Sequence, residues 1–441
     1  MRTDQPNAPE APPPCSHGEH LFWPVERWRE LQQQRLASHL MAAAQTPLYQ
    51  NRQLQEAASR SDLLDSLPEL PFTSKDDLAR AGRDAWGVPP SEVAEWVCTS
   101  GTMGKPLDVP LTAYDLDRLA ENEAVALGIA GIRSGDLVLL AVGMERMFVA
   151  GLAYWLGARK LGAACVRIGP QVAGDPRLIA DLTKRIRPDQ ADSRTFIIAV
   201  PSFLANIESS TEQISGVIAI GEPIRREDLQ YNFIGSLLHE RLACPVMSTY
   251  ALTETCTAFA ESPECKGGHL NPALAVVEVM DEHGRPVPDG IPGELVITPL
   301  GVQGMPLLRF RTGDIAALFT EKCPCGRTTP RIGPILGRKQ QLLKVRGTSI
   351  FPAAIVETVR STDGVVDCVV VAEADGELSD RVSVFVQVRT DGIQTELENR
   401  LRAALRVTPA IHIVPEAELR NMMFSGMRKA RRFLDRRNGL R

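Results

Sequence analysis

Apolar runs short enough for single strands recur through the middle of the chain, at residues 136–142, 164–169, 195–200, 216–221 and 244–250. Helical spacing of apolar residues at 151–162 and 224–241 supplies helices between them. Strands separated by helices cannot pair as hairpins, so they assemble side by side with helices on both faces. The predicted fold is therefore α/β, a doubly wound and mostly parallel sheet. Ligands of such sheets bind beyond the carboxyl ends of the strands. Gly221-Glu222-Pro223 and Tyr250-Ala251-Leu252-Thr253-Glu254 fall at two of those ends.

The texture changes from residue 274. Strand-like segments at 276–280 and 294–298 flank a turn-rich 281–293, which predicts an antiparallel, barrel-like subdomain over about 270–335. A break at Gly337-Arg338-Lys339-Gln340 follows. Beyond it the pattern reads strand (342–346), helix (352–361), strands (365–372 and 382–388), helix (395–406) and strand (411–415). We therefore expect a large domain over 21–336, a hinge at 337–340 and a small α+β domain over 341–441, of roughly 100 residues, an ordinary domain size. Upstream, residues 28–45 have helical spacing, and a Pro-rich extended stretch leads to a helix start at Ser74. Residues 1–20 are Pro-rich and polar without an apolar core, so they read as a frayed end and not as a signal peptide.

Composition narrows the function. A net charge of −5 with no long basic run before the final residues argues against a nucleic-acid partner. The most apolar segment, 147–166, is interrupted by Arg159-Lys160 and is no membrane span. Nine scattered cysteines, an odd number, suit the reduced thiols of a cytoplasmic protein better than a disulfide framework. Cys265-x-x-x-His269 and Cys323-x-Cys325 offer three thiols and an imidazole, the donor set of a closed structural zinc site, with buried neutral thiols as the alternative. No neighbouring base marks Cys98 or Cys256 as a nucleophile.

The chemistry-bearing stretch is Cys98-Thr99-Ser100-Gly101-Thr102-Met103-Gly104-Lys105-Pro106. Glycines let backbone N–H groups turn toward an anion, and hydroxyls and Lys105 add donors, as in a phosphate nest. Its glycine spacing is two residues short of a Walker loop, and Pro106 replaces the metal-binding hydroxyl. Strand-like residues 93–97 and 107–111 flank it, and Thr112 to Asp115 reads as a helix cap. The loop should therefore tip a hairpin, either as a triphosphate clamp or as an ordinary Gly-rich turn.

Several motifs share one order: L-P-x-L-P-F-T-S-K before the clamp, the clamp itself, V-P-S-F-L-A-N-I from Val200, G-E-P, Y-A-L-T-E, F-R-T-G-D from Phe310, C-P-C-G-R from Cys323, G-R-K-Q-Q-L-L-K-V-R-G-T-S-I-F-P from Gly337, and the terminal R-K-A-R-R-F-L-D. From Pro47 to Arg437 the chain resembles the adenylate-forming superfamily, specifically its phenylacetate–CoA ligase-like branch. The resemblance implies activation of a carboxylate on the α-phosphate of ATP, release of pyrophosphate, and displacement of AMP by a thiol. It implies that Thr99, Ser100, Gly101, Thr102, Gly104 and Lys105 hold the outer phosphates. Glu254 matches the magnesium ligand, Thr253 an α-phosphate hydroxyl, and Tyr250 an adenine-stacking ring beside Gly221, Glu222 and Pro223. Asp314 matches a ribose-binding aspartate, with Arg338 nearby; on residues alone, Arg311 and Asp314 would be a surface ion pair. Lys429 matches the catalytic lysine, although Arg428 stands where the family has glycine. Gln340 and Gln341 are neutral where close relatives carry an acidic hinge residue. Arg346 and Gly347 would line the coenzyme A entry. The acid would lie among Phe148, Gly151, Ala219 and Ala251, an apolar setting suited to anthranilate, benzoate or phenylacetate. The implied cofactors and partners are ATP, magnesium, coenzyme A and an aromatic acid, with a homodimer by family analogy. A carrier protein or an amine as acceptor, and a non-catalytic nucleotide-binding homologue, are the alternatives.

Overall fold

The computed structural model describes residues 18–50, 53–99, 106–170, 176–186, 194–205, 214–345, 348–375, 379–390, 392–424 and 430–437. The chain divides into two compact units. The first comprises Met1–Arg225, Ile234–Thr312 and Ala317–Pro334; the second comprises Arg226–Phe233, Gly313–Ala316 and Ile335–Arg441. Asp314, expected in the large domain, thus belongs to the second unit.

The first unit is organised on a nine-stranded sheet. Its parallel half runs through β3 (Leu137–Ala141), β4 (Ala164–Arg167), β5 (Thr195–Ala199), β6 (Ile214–Ala219) and β7 (Val246–Leu252), in the order β7-β6-β5-β3-β4. β3 is buried at every residue, as a strand covered on both faces must be. Beyond β7 the sheet continues antiparallel through β8 (Thr257–Ser262), β9 (Cys265–His269), β14 (Arg331–Ile332) and β13 (Leu318–Phe319). The two-residue strands β13 and β14 and the β8–β9 hairpin were not legible as strands. Separately, β10 (Ala275–Met280) and β11 (Gly293–Pro299) pair antiparallel, as predicted for this region.

Helices form where the chain caps them locally. α1 (Val25–Ala43) packs Leu36 and Leu40 into a cluster with Val276, Leu300 and Leu308. α2 (Lys75–Ala81) begins at Ser74, whose side chain and that of Asp77 satisfy each other's backbone N–H groups. Thr112 and Asp115 do the same for α3 (Ala113–Ile129). α4 (Val149–Leu161) ends on Gly162, left-handed at φ 81°, a conformation glycine adopts without a Cβ penalty. α3 and α4 cover one face of the parallel strands, with Leu127, Tyr154 and Ala158 against Val138, Leu140 and Ile198. Gly157 is required there: a Cβ would stand 2.8 Å from the carbonyl carbon of Glu123.

The helix predicted from residue 224 is shorter. α5 (Phe233–Leu242) starts only after a turn in which Arg226 N–H donates to Gln230 O and Leu229 has a positive φ. Pro223 and the polar run after it favour that turn over helix. No helix among the described residues is long and apolar enough to cross a membrane.

The second unit holds the end of β12 (Phe310–Ala316), where Asp314 and Ile315 pair with Arg338 and Gly337 of β15 (Gly337–Arg338). A hairpin of β16 (Leu343–Val345) and β17 (Thr348–Ile350) follows, then α6 (Pro352–Arg360). Its main sheet pairs β18 (Val365–Ala374) with β19 (Asp380–Val388); β20 (Ala410–Ile413) runs parallel to β19 and β21 (Phe433–Asp435) parallel to β18. α6 and α7 (Gln394–Leu405) bury Ile355, Val359, Leu397 and Leu401 against one face. The opposite face is covered by α8 (Glu416–Phe424), a helix the sequence reading passed over, through Leu419 and Met423.

Candidate active site

In the first unit the chain leaves β3 for β4 on one side and returns to β5 on the other, so the strand order reverses at the β3–β5 boundary. Connections leaving two such strands diverge and open a crevice at their carboxyl ends. Residues 142–148 follow β3, and Val200 to Ser202 follow β5. Gly221 to Pro223 follow β6, and Tyr250 lies on β7. Ser202 joins two of these motifs: its N–H (3.0 Å) and hydroxyl (2.9 Å) donate to the Glu222 carboxylate. Gly221 has φ 68°. The Tyr250 ring stacks on its cross-strand partner Phe259, centroids 6.0 Å apart. Thr249 shares a hydrogen bond with Tyr154 Oη at 2.7 Å.

The four residues expected around the acid differ in setting. Phe148 is 42% exposed at the N-cap of α4, and Ala251 is exposed, but Ala219 is wholly buried in the sheet. Gly151 is a packing contact, since a Cβ there would lie 2.3 Å from Gly143 O. Just before Phe148, Arg146 and Met147 have φ of 60° and 59°. Consecutive left-handed non-glycine residues cost about 1–3 kcal/mol each and are held only where surroundings dictate them. Here Met147 O accepts the Cys98 N–H at 2.9 Å.

Glu254 sits in the four-residue turn closing the β7–β8 hairpin, whose last pair is Leu252 with Thr257. Cys256 takes the left-handed conformation, and its N–H returns to Leu252 O. The turn is pinned by Arg118 of α3, a side chain with no apparent signal in the sequence. Its buried guanidinium donates to Cys256 O (2.7 Å), Thr257 Oγ1 (3.2 Å), Leu274 O (2.6 Å) and Leu300 O (2.6 Å). Glu254 is 6% exposed and receives Lys75 Nζ at 3.1 Å. Burial pushes the Cys256 thiol up to about 12 and raises that of Cys98, which suits packed, unreactive thiols.

The Gly-rich stretch leaves one arm of an antiparallel hairpin, β1 (Glu95–Cys98) with β2 (Asp108–Leu111), Cys98 opposite Asp108. Thr99 closes its neck: its N–H donates to Leu107 O, and its hydroxyl accepts the Leu107 N–H, both at 3.0 Å. Ser100, Gly101, Thr102, Gly104 and Lys105 lie outside the described residues, as do Arg346, Gly347 and Lys429.

In the second unit Asp314 is buried and accepts from Arg338 Nε at 3.2 Å. Arg311, in the first unit, pairs with Glu294, its Nε 3.1 Å from Oε2. Gln340 and Gln341 occupy a single helical turn, Lys339–Gln341, and Arg437 donates to Gln340 O (2.8 Å) and Leu342 O (2.9 Å).

Cys265, His269, Cys323 and Cys325 converge in the first unit, their ligand atoms all within 4.8 Å of one another. Cys325 Sγ lies 3.3 Å from His269 Nε2 and 3.1 Å from Cys323 Sγ. Zn–S bonds of ~2.3 Å put tetrahedral ligands ~3.8 Å apart, so this donor set fits zinc with small adjustments. His269 Nδ1 is engaged with Thr329 Oγ1 at 3.1 Å, which directs Nε2 inward. Burial, with Arg327 and Arg331 nearby, holds the imidazole neutral, down to about 3.

The sequence profile described as AMP-binding enzyme matches residues 24–303. The chain is 33% identical to a phenylacetate–coenzyme A ligase of Thermus thermophilus over 359 residues, 75% of each chain. It is 26% identical to one of Aromatoleum evansii, covering 93% of this chain and 94% of that one. Among solved structures, a 2-hydroxyisobutyryl-CoA ligase in the postadenylation state superposes with TM-score 0.78 at 22% identity, over 98% of this chain and 95% of that one. That likeness extends the agreement in fold to nearly the full length. The chain belongs to the AMP-binding enzyme family, as a phenylacetate–CoA ligase-like member of the adenylate-forming enzymes.

Proposed function

We propose that this chain is an ATP-dependent acid–thiol ligase that converts an aromatic carboxylate to its coenzyme A thioester through an acyl-adenylate. The similarity to phenylacetate–coenzyme A ligases over three quarters of the chain carries the reading; the buried Glu254 at the β7–β8 turn supports it. A carboxylate oxygen attacks the α-phosphorus, the bond from that phosphorus to the β-bridging oxygen breaks, and pyrophosphate leaves with the electron pair. The thiolate of coenzyme A then attacks the acyl carbon, and AMP leaves. Both partners of the first step are anions, so the protein's task is positioning and charge neutralisation.

The residue roles are our assignments. Ser100, Gly101, Thr102, Gly104 and Lys105 hold the outer phosphates, with Thr99 shaping the neck of their loop. Tyr250 offers the ring face away from Phe259 to adenine, beside Gly221, Glu222 and Pro223. Thr253 faces the α-phosphate, and Asp314 with Arg338 takes the ribose. Lys429 bridges carboxylate and α-phosphate during adenylation. Arg346 and Gly347 line the thiol entry, and Phe148 and Ala251 contact the acid's ring. Glu254 would hold a magnesium ion, which offsets phosphate charge when bound. Cys265, His269, Cys323 and Cys325 would hold a structural zinc. Residues 337–340 serve as the hinge of a C-terminal lid. Coenzyme A, ATP and reduced thiols favour the cytoplasm as its compartment.

The test is ATP–pyrophosphate exchange across phenylacetate, benzoate and anthranilate, followed by coenzyme A addition to the responders. Aryl-acid-dependent exchange and coenzyme A-dependent AMP release are expected. Lys429→Ala should lower exchange at least 100-fold and spare thiolysis of supplied acyl-AMP. Exchange without acceleration by coenzyme A would move the acceptor to a carrier protein or an amine. No exchange with any aryl acid would overturn the substrate class.

A further inference from the structure

The L-P-F-T-S-K motif is held from Phe72 to Lys75 by a run of tertiary contacts and a helix cap. Phe72 lies under two guanidinium groups, Arg309 at 4.0 Å and Arg311 at 5.1 Å. Thr73 bridges to Phe310: its N–H donates to Arg309 O, and its carbonyl accepts from Arg311 N–H. Its hydroxyl shares a 2.8 Å hydrogen bond with buried Tyr49. Ser74 then caps α2, and the next residue is Lys75. Everything holding this segment sets where the lysine stem begins. The ammonium at the end of that stem reaches Glu254, 179 residues away in sequence.

We propose that Lys75 is a pyrophosphate-binding residue of the adenylation step, an inference that rests on the acid–thiol ligase reading. The ion pair is asymmetric: the Glu254 side chain is 8% exposed, whereas that of Lys75 is 46% exposed. A half-exposed pair of this kind is weak and exchanges readily. Glu254 is also the proposed metal ligand, and a divalent cation held there would repel the ammonium from the same carboxylate. Lysine's four-carbon stem lets the charge move while its base stays fixed. The ammonium therefore exchanges Glu254 for an oxygen of the β- or γ-phosphate. When the bond to the α-phosphorus breaks, the added negative charge resides on the departing pyrophosphate, beside this cation. In this structure the same lysine is the counter-charge of the buried Glu254 carboxylate.

The full-length protein, Lys75→Met and Lys75→Arg are compared in two measurements. Calorimetric titration with pyrophosphate in excess magnesium reads the ligand directly, without any acid substrate. Exchange kinetics and thiolysis of supplied acyl-AMP separate the half-reactions. Lys75→Met should weaken pyrophosphate binding, and raise the pyrophosphate KM in exchange, tenfold or more. Thiolysis should stay within twofold, and Lys75→Arg should recover most of the binding. Equal pyrophosphate affinity in wild type and Lys75→Met overturns the proposal. So does equal loss of both half-reactions, which would mark the lysine as structural. Lys75-dependent pyrophosphate binding in a protein that exchanges with no acid would instead overturn the acid–thiol reading and leave the lysine assignment standing.

Discussion

Glu123 on α3 is a buried carboxyl whose Oε2 has no hydrogen-bond partner among the described residues. Burial pushes it up to about 8, so it is mostly protonated at neutral pH. The unfolded chain gives up this proton near 4.5, the folded chain only near 8. Between those values the folded state holds the extra proton, and stability must fall as pH rises. Glu123→Gln, neutral and of equal shape, should leave stability at pH 4 nearly unchanged and raise it at pH 8 by roughly 4 kcal/mol. Urea denaturation at both pH values checks this; parallel curves for wild type and variant would refute it. What was legible at this scale was local. Ser74 with Asp77 and Thr112 with Asp115 were readable as caps because both partners lie three residues apart. Lys75–Glu254 and the four acceptors of Arg118 are set by tertiary folding across more than a hundred residues, which no spacing encodes.

Among the elements, the parallel strands were readable because a strand buried on both faces leaves an uninterrupted apolar run. The β8–β9 hairpin was missed because its residues, small and polar, are buried against neighbours and not by their own hydrophobicity. There Glu261 accepts from Arg225, Ser248 N–H and Gly267 N–H, tying β7 to the hairpin that bears Cys265 and His269. α8 was missed because a short polar helix acquires its stability from the sheet face it covers. The Cys–His cluster was legible as a donor set, and the fold supplies the convergence that spacing left open. If it holds zinc, purified protein should carry one zinc per chain by elemental analysis. At zinc concentrations 100–1,000 times Kd the metal would contribute roughly 3–4 kcal/mol. Removing it with a chelator, or substituting Cys323→Ser, should then lower the unfolding midpoint by several degrees. Metal-free protein with an unchanged midpoint would make these four residues a packed thiol cluster.

For the whole molecule, motif order identified the family where residue patterning alone reached only an α/β chain with a Gly-rich loop. The sequence reading set a hinge at 337–340, whereas the long segment of the second unit begins at Ile335. That Arg226–Phe233 and Gly313–Ala316 belong with the second unit was not legible. Those short segments join it through contacts such as Phe233 N–H to Glu357 (2.7 Å) and Asp314 to Arg338, distant in sequence. The central claim is that an acid's own oxygen becomes bonded to the α-phosphorus. A responding aromatic acid labelled with ¹⁸O in its carboxylate, turned over with ATP and coenzyme A, tests it directly by mass spectrometry of the products. The account predicts one ¹⁸O in AMP, one retained in the thioester and none in pyrophosphate. Unlabelled AMP, or label in inorganic phosphate beside ADP, would contradict it.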